Sequence, residues 1–120
     1  MHSATRAYAS VAKETASPRE LEATLLLKAA SKLQAVHDAW GDEHGLDEAL
    51  LYNRRLWVVF IDSVLQDDNP LPVSVRQNLA NLGVFVMTET FSLLTNPQPG
   101  HLLSLIKINR ELATGLQARS

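Results

Sequence analysis

The longest helical pattern in the chain reads SPRELEATLLLKAASKLQAVHDAW over residues 17–40. Its apolar residues recur every three or four positions, which is typical of a helix with one buried face. This apolar stripe consists of Leu25, Ala29, Leu33, Val36 and Trp40. Ser17 can cap the helix, Pro18 suits its first position, and Glu20 completes a capping box. The stretch therefore predicts a helix from about residue 17 to about residue 40.

Three further segments have the same periodicity and are bounded by turn residues. They cover about residues 50–65, with Asp47 as a cap, about residues 73–95, and about residues 101–117. A weaker segment, roughly residues 2–15, has only a narrow apolar face. No segment alternates with the period of two that marks a half-buried strand.

Short connections between helices favour antiparallel neighbours. We therefore expect an all-α fold, a single-domain antiparallel helical bundle of four main helices plus a short N-terminal helix. The domain is expected to span residues 1–120, with residues 1–16 loosely attached.

Composition and charge narrow the classes of function. The 120 residues carry 11 Lys and Arg against 13 Asp and Glu, so no positive excess is available to neutralise a phosphate backbone, which argues against nucleic acid as a partner. The chain has no cysteine, which excludes disulfides and cysteine-ligated metals. Residues 1–20 carry no apolar core of the kind that a secretory signal needs, and the longest apolar run, residues 56–61, is far short of the roughly 20 residues that a membrane span needs. We expect a cytoplasmic protein without membrane insertion.

Motifs that carry catalysis or metal binding are missing from the sequence. The cluster His37, Asp38, Asp42, Glu43 and His44 lacks the spacing that places two metal ligands on one helical face, so a solvated turn is the preferred interpretation. Neither a nucleophile-elbow sequence nor a glycine-rich phosphate loop occurs. We expect no enzyme activity, no cofactor and no metal.

Several polar residues fall inside the predicted apolar stripes. Glu22 lies in the first main stripe, Arg54 near the middle of the second, Arg76 in the third, and Asn109 in the last. Because an unpaired charge in a core is costly, Glu22 is predicted to form an ion pair with Arg54 or Arg76. The alternative is that these groups line a groove and bind polar atoms of a partner.

Phe85 shows the opposite pattern, because it lies on an otherwise polar arc of its helix. Either the N-terminal helix or the tail covers it, or it anchors a protein partner. The asparagines on this arc, Asn78 and Asn81, could then bind the partner's backbone.

Four stretches of the chain carry a family resemblance. They read SPRELE (17–22) followed by LLLKAA (25–30), ALLYNRRLW (49–57), LP (71–72) followed by VRQNLANLG (75–83), and INREL (108–112). Together they resemble the FlaF family of flagellar biosynthesis regulators, in the same order and from about Ala7 to Leu116. The resemblance implies a small helical cytoplasmic protein that is needed for flagellin production and export.

The resemblance also implies partners and partner-binding residues. The family is expected to act as a flagellin secretion chaperone beside the regulator FlbT, with an amphipathic helical segment of flagellin as the bound partner. The residues nominated for partner binding are Tyr52, Asn53, Arg54, Trp57, Arg76, Asn78, Asn81 and Phe85. Two alternatives stay open: control of flagellin expression through FlbT or flagellin messenger RNA, and a homodimeric interaction module with Phe85 at the seam.

Overall fold

The computed structural model of the chain describes residues 18–41 and 45–118, and these residues form four helices. The helices are α1 (Pro18–Asp38), α2 (Leu46–Leu65), α3 (Val73–Thr95) and α4 (Pro99–Ala118). Within the described ranges no residue belongs to a strand, so the all-α prediction is confirmed. The predicted N-terminal helix, the Ser17 cap and the turn residues 42–44 lie outside the described ranges.

The start of α2 differs from the prediction. Asp47 was expected to cap this helix, but Gly45 occupies the N-cap position with a φ of 99°, and Asp47 lies in the first turn. A positive φ is readily adopted by glycine, and the first helical hydrogen bond runs from the Ala49 N–H to the Gly45 carbonyl at 2.9 Å. Asp47 still favours this helix end, because a carboxylate in the first turn interacts well with the helix dipole.

α2 and α3 form an antiparallel pair. The Arg76 guanidinium at the start of α3 donates to the Gln66 carbonyl just after the end of α2, at 2.9 Å. Further along both helices, Gly83 packs against Ile61, and a Cβ on Gly83 would lie only 2.5 Å from two carbons of the Ile61 side chain. Glycine in the interior of α3 therefore permits a close approach of the two helix axes.

α1 packs most extensively against α4, and both helices bury alanines. Ala23 and Ala30 of α1 and Ala113 of α4 are buried. α1 also contacts α2, where the ammonium groups of Lys28 and Lys32 lie 5.8 and 5.1 Å from the centre of the Tyr52 ring. The four helices measure 42 × 41 × 22 Å overall, so the molecule is about two helix diameters thick.

The two ends of the bundle are filled differently. We call one end the sealed end. Fully buried leucines fill it, and they come from the second halves of α1 and α3 and the first halves of α2 and α4. These leucines include Leu33, Leu50, Leu93, Leu102 and Leu105. At the opposite end, which we call the open end, the first half of α3 contributes no buried residue: residues 73–82 are all exposed or half-buried.

Within residues 18–41 and 45–118, no helix is both long enough and apolar enough to span a membrane.

Candidate partner-binding site

The open end contains a cavity of about 690 Å³ between the four helices and the α2–α3 loop. We call it the open-end trough. Its lining is mainly apolar and includes Phe60, Val64, Leu71, Val75, Leu79 and Leu112. Protein interiors seldom hold voids much larger than a water molecule, and this volume lies in the range of ligand-binding clefts. The trough is therefore the candidate binding site of this structure.

The α2–α3 loop forms one wall of the trough and is held by a short set of hydrogen bonds. The Asn69 side-chain amide donates to the Ser63 carbonyl at 3.0 Å, and its Oδ1 accepts from the Leu71 N–H at 3.0 Å. Asparagine is favoured in turns because its side chain can replace backbone partners in this way. The loop is thus fixed with Pro70 and Leu71 on the trough wall.

The α4 wall has a gap at Gly115. A Cβ added to this residue would meet no heavy atom within 4 Å, although Gly115 lines the trough and lies in the middle of a helical turn. Glycine in a helix interior costs roughly 1 kcal/mol relative to alanine. Here the missing side chain leaves space in the trough.

Polar groups lie among the apolar lining, and one of them is desolvated. Burial raises the pKa of the Glu22 carboxyl above its ordinary value, and the positive charge of Arg19 opposes this shift in part. Arg19, Glu22 and Glu111 all line the trough. The site therefore offers carboxylates to an apolar partner that carries a basic or hydrogen-bonding group.

The ion pair predicted for Glu22 is not formed in the described part of the chain. Arg54 is exposed on α2, and Arg76 is used by the end of α2, where it donates to the Gln66 carbonyl. Arg76 Nε itself is buried without a hydrogen-bond partner. The predicted stripe of α2 was centred too far round the helix, so Arg54 was placed in the core although it faces solvent.

Two of the nominated residues belong to a buried polar cluster. Trp57 Nε1 donates to Asn109 Oδ1 at 3.0 Å, and Asn109 Nδ2 donates to Asn53 Oδ1 at 2.7 Å. All three side chains are essentially inaccessible to solvent. The cluster joins α2 to α4 and fixes their register, because any sliding of one helix would leave these buried groups unpaired. Trp57 also reaches the trough wall, so it links the core to the site.

The other nominated residues do not gather at the trough. Tyr52 lies on the opposite half of α2 against the two lysines of α1. Asn78, Asn81 and Phe85 are exposed on α3, where Asn81 accepts a hydrogen bond from the Gln77 amide at 3.1 Å. Whether residues 1–17 cover Phe85 lies outside the described ranges.

Apart from the nomination of Trp57 and the groove-lining alternative for Glu22, sequence reasoning assigned no binding role to the residues that line the trough. Val75 and Leu79 in the stripe of the predicted third main helix, and Leu112 and Leu116 in that of the last, recur at helical spacing. Nothing in that spacing separates them from core positions. The available signal was Gly115 between two of these leucines, because a glycine inside a helical pattern often marks a close approach or a gap.

No group of three or more His, Asp or Glu side chains that could hold a metal ion is present within residues 18–41 and 45–118.

Comparison with known proteins gives a match to one protein family, flagellar protein FlaF, over residues 4–116. Neither the curated proteins nor the solved structures gave a significant match. The matched range includes all of α1, α2 and α3, nearly all of α4, and most of the segment that precedes α1. Since the match covers almost the whole sequence, the chain belongs to the FlaF family of flagellar proteins.

Proposed function

We propose that this FlaF-family protein is a cytoplasmic flagellin-binding secretion chaperone that holds an amphipathic helix of flagellin in the open-end trough. The family supports a flagellar role, and the trough is the observation that supports the finer proposal. It is an apolar cavity of about 690 Å³ that the chain's described residues leave unfilled. Flagellin's terminal segments are amphipathic and prone to assembly, so a protein that covers their apolar face would keep them apart before export.

The energetics of such a complex favour a concave site. Apolar surface removed from water contributes about 25 cal/mol per Å², and association and side-chain ordering oppose this gain. A helix laid into a groove buries its apolar face on several sides at once, which is a common mode of peptide recognition. The carboxylates of Glu22 and Glu111 would then select helices with a complementary polar group at that position.

Filling the trough tests the proposal. Gly115→Phe adds a ring to the trough lining, and its Cβ is accommodated because no heavy atom lies within 4 Å of a Cβ at this position. Binding of fluorescent peptides from both flagellin termini is measured by anisotropy, and intact flagellin by size-exclusion chromatography. We expect the affinity of the bound segment to fall by at least tenfold.

The matched control is Gly100→Phe, because a Cβ on Gly100 also meets nothing within 4 Å. Gly100 lies in the first turn of α4, roughly 22 Å along the helix from Gly115. Unchanged affinity in this variant and reduced affinity in Gly115→Phe support the trough as the flagellin site. Equal affinities in both variants and the wild type would contradict it. Roles through FlbT or flagellin messenger RNA stay predictions.

A further inference from the structure

A second apolar surface lies on the outside of the α2–α3 pair, away from the trough. We call it the outer apolar face. It consists of Leu51, Val58 and Leu65 on α2 and of Val73, Val84 and Phe91 on α3. Each of these residues exposes between 43 and 71% of its surface. α2 and α3 touch each other at Ile61 and Gly83. On each helix, these six residues lie beyond that contact, on the side that faces away from the core.

The spacing of these residues is that of a helix that packs against another helix. The three α2 residues are seven positions apart, and so are Val84 and Phe91 on α3. A seven-residue apolar repeat keeps one line of side chains facing a partner helix. Since Trp57 and Leu50 already supply the inward face of α2, this repeat is an additional seam without a partner in the described structure.

The size of the face also indicates an interface. Its six residues expose on the order of 600 Å², which is at or above the largest apolar patch of a typical monomer. A specific protein–protein interface buries roughly 800 Å² per partner, and the weaker ones bury less. The face is therefore large enough for a reversible complex.

The α2 half of the face is complementary to itself when a second copy of α2 lies antiparallel to it, with the two Val58 residues opposite each other. This reversal brings Leu51 opposite Leu65, and it brings Arg54 opposite Asp62. Arg54 and Asp62 are eight residues apart on one helix, roughly 12 Å, so they cannot pair within one chain. Both side chains are exposed, and neither forms an ion pair within the described residues.

The α3 half of the face is centred at the same level. Gly83 packs against Ile61 and Trp57, so Val84 lies beside Val58 across the helix pair. Reversing α3 about Val84 brings the exposed Phe91 opposite the exposed Gln77, whose methylene groups can pack against the ring. One two-fold axis therefore places Val58 and Val84 each beside its own copy in the partner subunit.

We propose that two copies of this chain associate through their outer apolar faces, with α2 antiparallel to α2 and α3 antiparallel to α3 of the partner subunit. The two-fold axis passes beside Val58 and Val84. The two faces together bury about 1,200 Å², at the lower end of specific interfaces, and we expect a reversible complex with a dissociation constant on the order of micromolar. This surface is separate from the trough, so the proposal does not depend on what the trough binds.

Single cysteines test the symmetry, because the natural chain has none. Val58→Cys brings two thiols together at the axis, within the Cα distance that a disulfide needs. Val59→Cys is the matched control, since Val59 is exposed by 64% but points about 100° away around α2. Under mild oxidation at 10–50 micromolar protein, roughly that dissociation constant, we expect disulfide dimers at least tenfold faster with Val58→Cys. Equal rates would overturn the proposal.

Exchanging the charges at positions 54 and 62 tests whether the partner is a second copy of this chain. Arg54→Glu and Asp62→Lys should each shift sedimentation equilibrium towards monomer, and the double variant should restore the dimer. Compensation within one chain is excluded by the distance between the two positions. A monomeric wild type at 100 micromolar, well above the expected dissociation constant, contradicts the proposal. A Val84→Glu variant that loses flagellin binding but sediments like the wild type would also contradict the proposal.

Discussion

The sealed end and the open end of the bundle are built from the same four helices, yet their interiors differ. At the sealed end, leucines from all four helices interdigitate, and α3 contributes the buried residues Val86, Thr90 and Leu93. At the open end, α3 offers Val75 and Leu79, which are only half-buried, and α4 offers a glycine. Packing is therefore complete at one end of the bundle and incomplete at the other. The sealed end contributes folding free energy, whereas the open end leaves apolar surface in the trough, which under the proposed function holds the partner.

The largest expected effect comes from removing a leucine at each end. Leu105→Ala at the sealed end leaves a cavity around a fully buried side chain and should lower the free energy of unfolding by about 3 kcal/mol. Leu79→Ala at the open end removes a half-buried side chain beside an existing cavity and should cost about 1 kcal/mol or less. Urea denaturation followed by circular dichroism measures both. Equal losses would show that the open end is packed as tightly as the sealed end.

A smaller effect is expected from the polar cluster that joins α2 to α4. Asn109→Ala removes the acceptor of the Trp57 indole and the donor to Asn53, so two buried polar groups lose their partner. We expect a loss of about 2 kcal/mol, measured by the same urea denaturation. The control is Asn81→Ala, which removes an asparagine from the exposed surface of α3 and should change stability by less than about 0.5 kcal/mol. Similar losses in both variants would argue against a structural role for the cluster.

The helices could be predicted from the sequence, because their boundaries depend on local signals. α3 begins and ends where the periodicity and the flanking prolines place it, and α1 begins at Pro18. The burial of Trp57 and of Asn109 also follows from their places in the apolar stripes. Local capping was less certain: at α2 a left-handed glycine begins the helix two residues before the expected aspartate cap.

The position of Arg54 shows why the candidate site could not be predicted. α2 is apolar on two sides, the core side with Leu50 and Trp57 and the outer apolar face with Val58 and Leu65. A helical wheel averages both sides into one stripe, and the middle of that stripe falls on Arg54. Periodicity alone cannot divide the apolar residues of a helix between two neighbours.

The trough could not be predicted from the sequence for a related reason. Whether Leu79 and Leu112 meet a neighbour or line a cavity depends on how far the helices diverge at the open end. That divergence is set by tertiary contacts such as the close approach at Gly83 and the alanines between α1 and α4. These contacts join residues that are far apart in the sequence, so no local sequence pattern predicts them.

The smallest expected effect concerns the charge inside the trough. Burial raises the pKa of Glu22 in the folded protein above the ordinary value of 4.5, so between the unfolded and the folded pKa the folded state binds more protons than the unfolded state. Stability contributed by the protonated carboxyl is thus complete below about pH 4.5 and is lost as the pH rises through the raised pKa. Glu22→Gln, which stays neutral, should therefore melt at a higher temperature than the wild type at pH 7 and at the same temperature at pH 4. A thermal unfolding series over this range checks the sign. A variant that melts lower than the wild type at pH 7 would mean that the Glu22 carboxylate is stabilised by a charge stronger than Arg19, and that the open end is less apolar than its lining indicates.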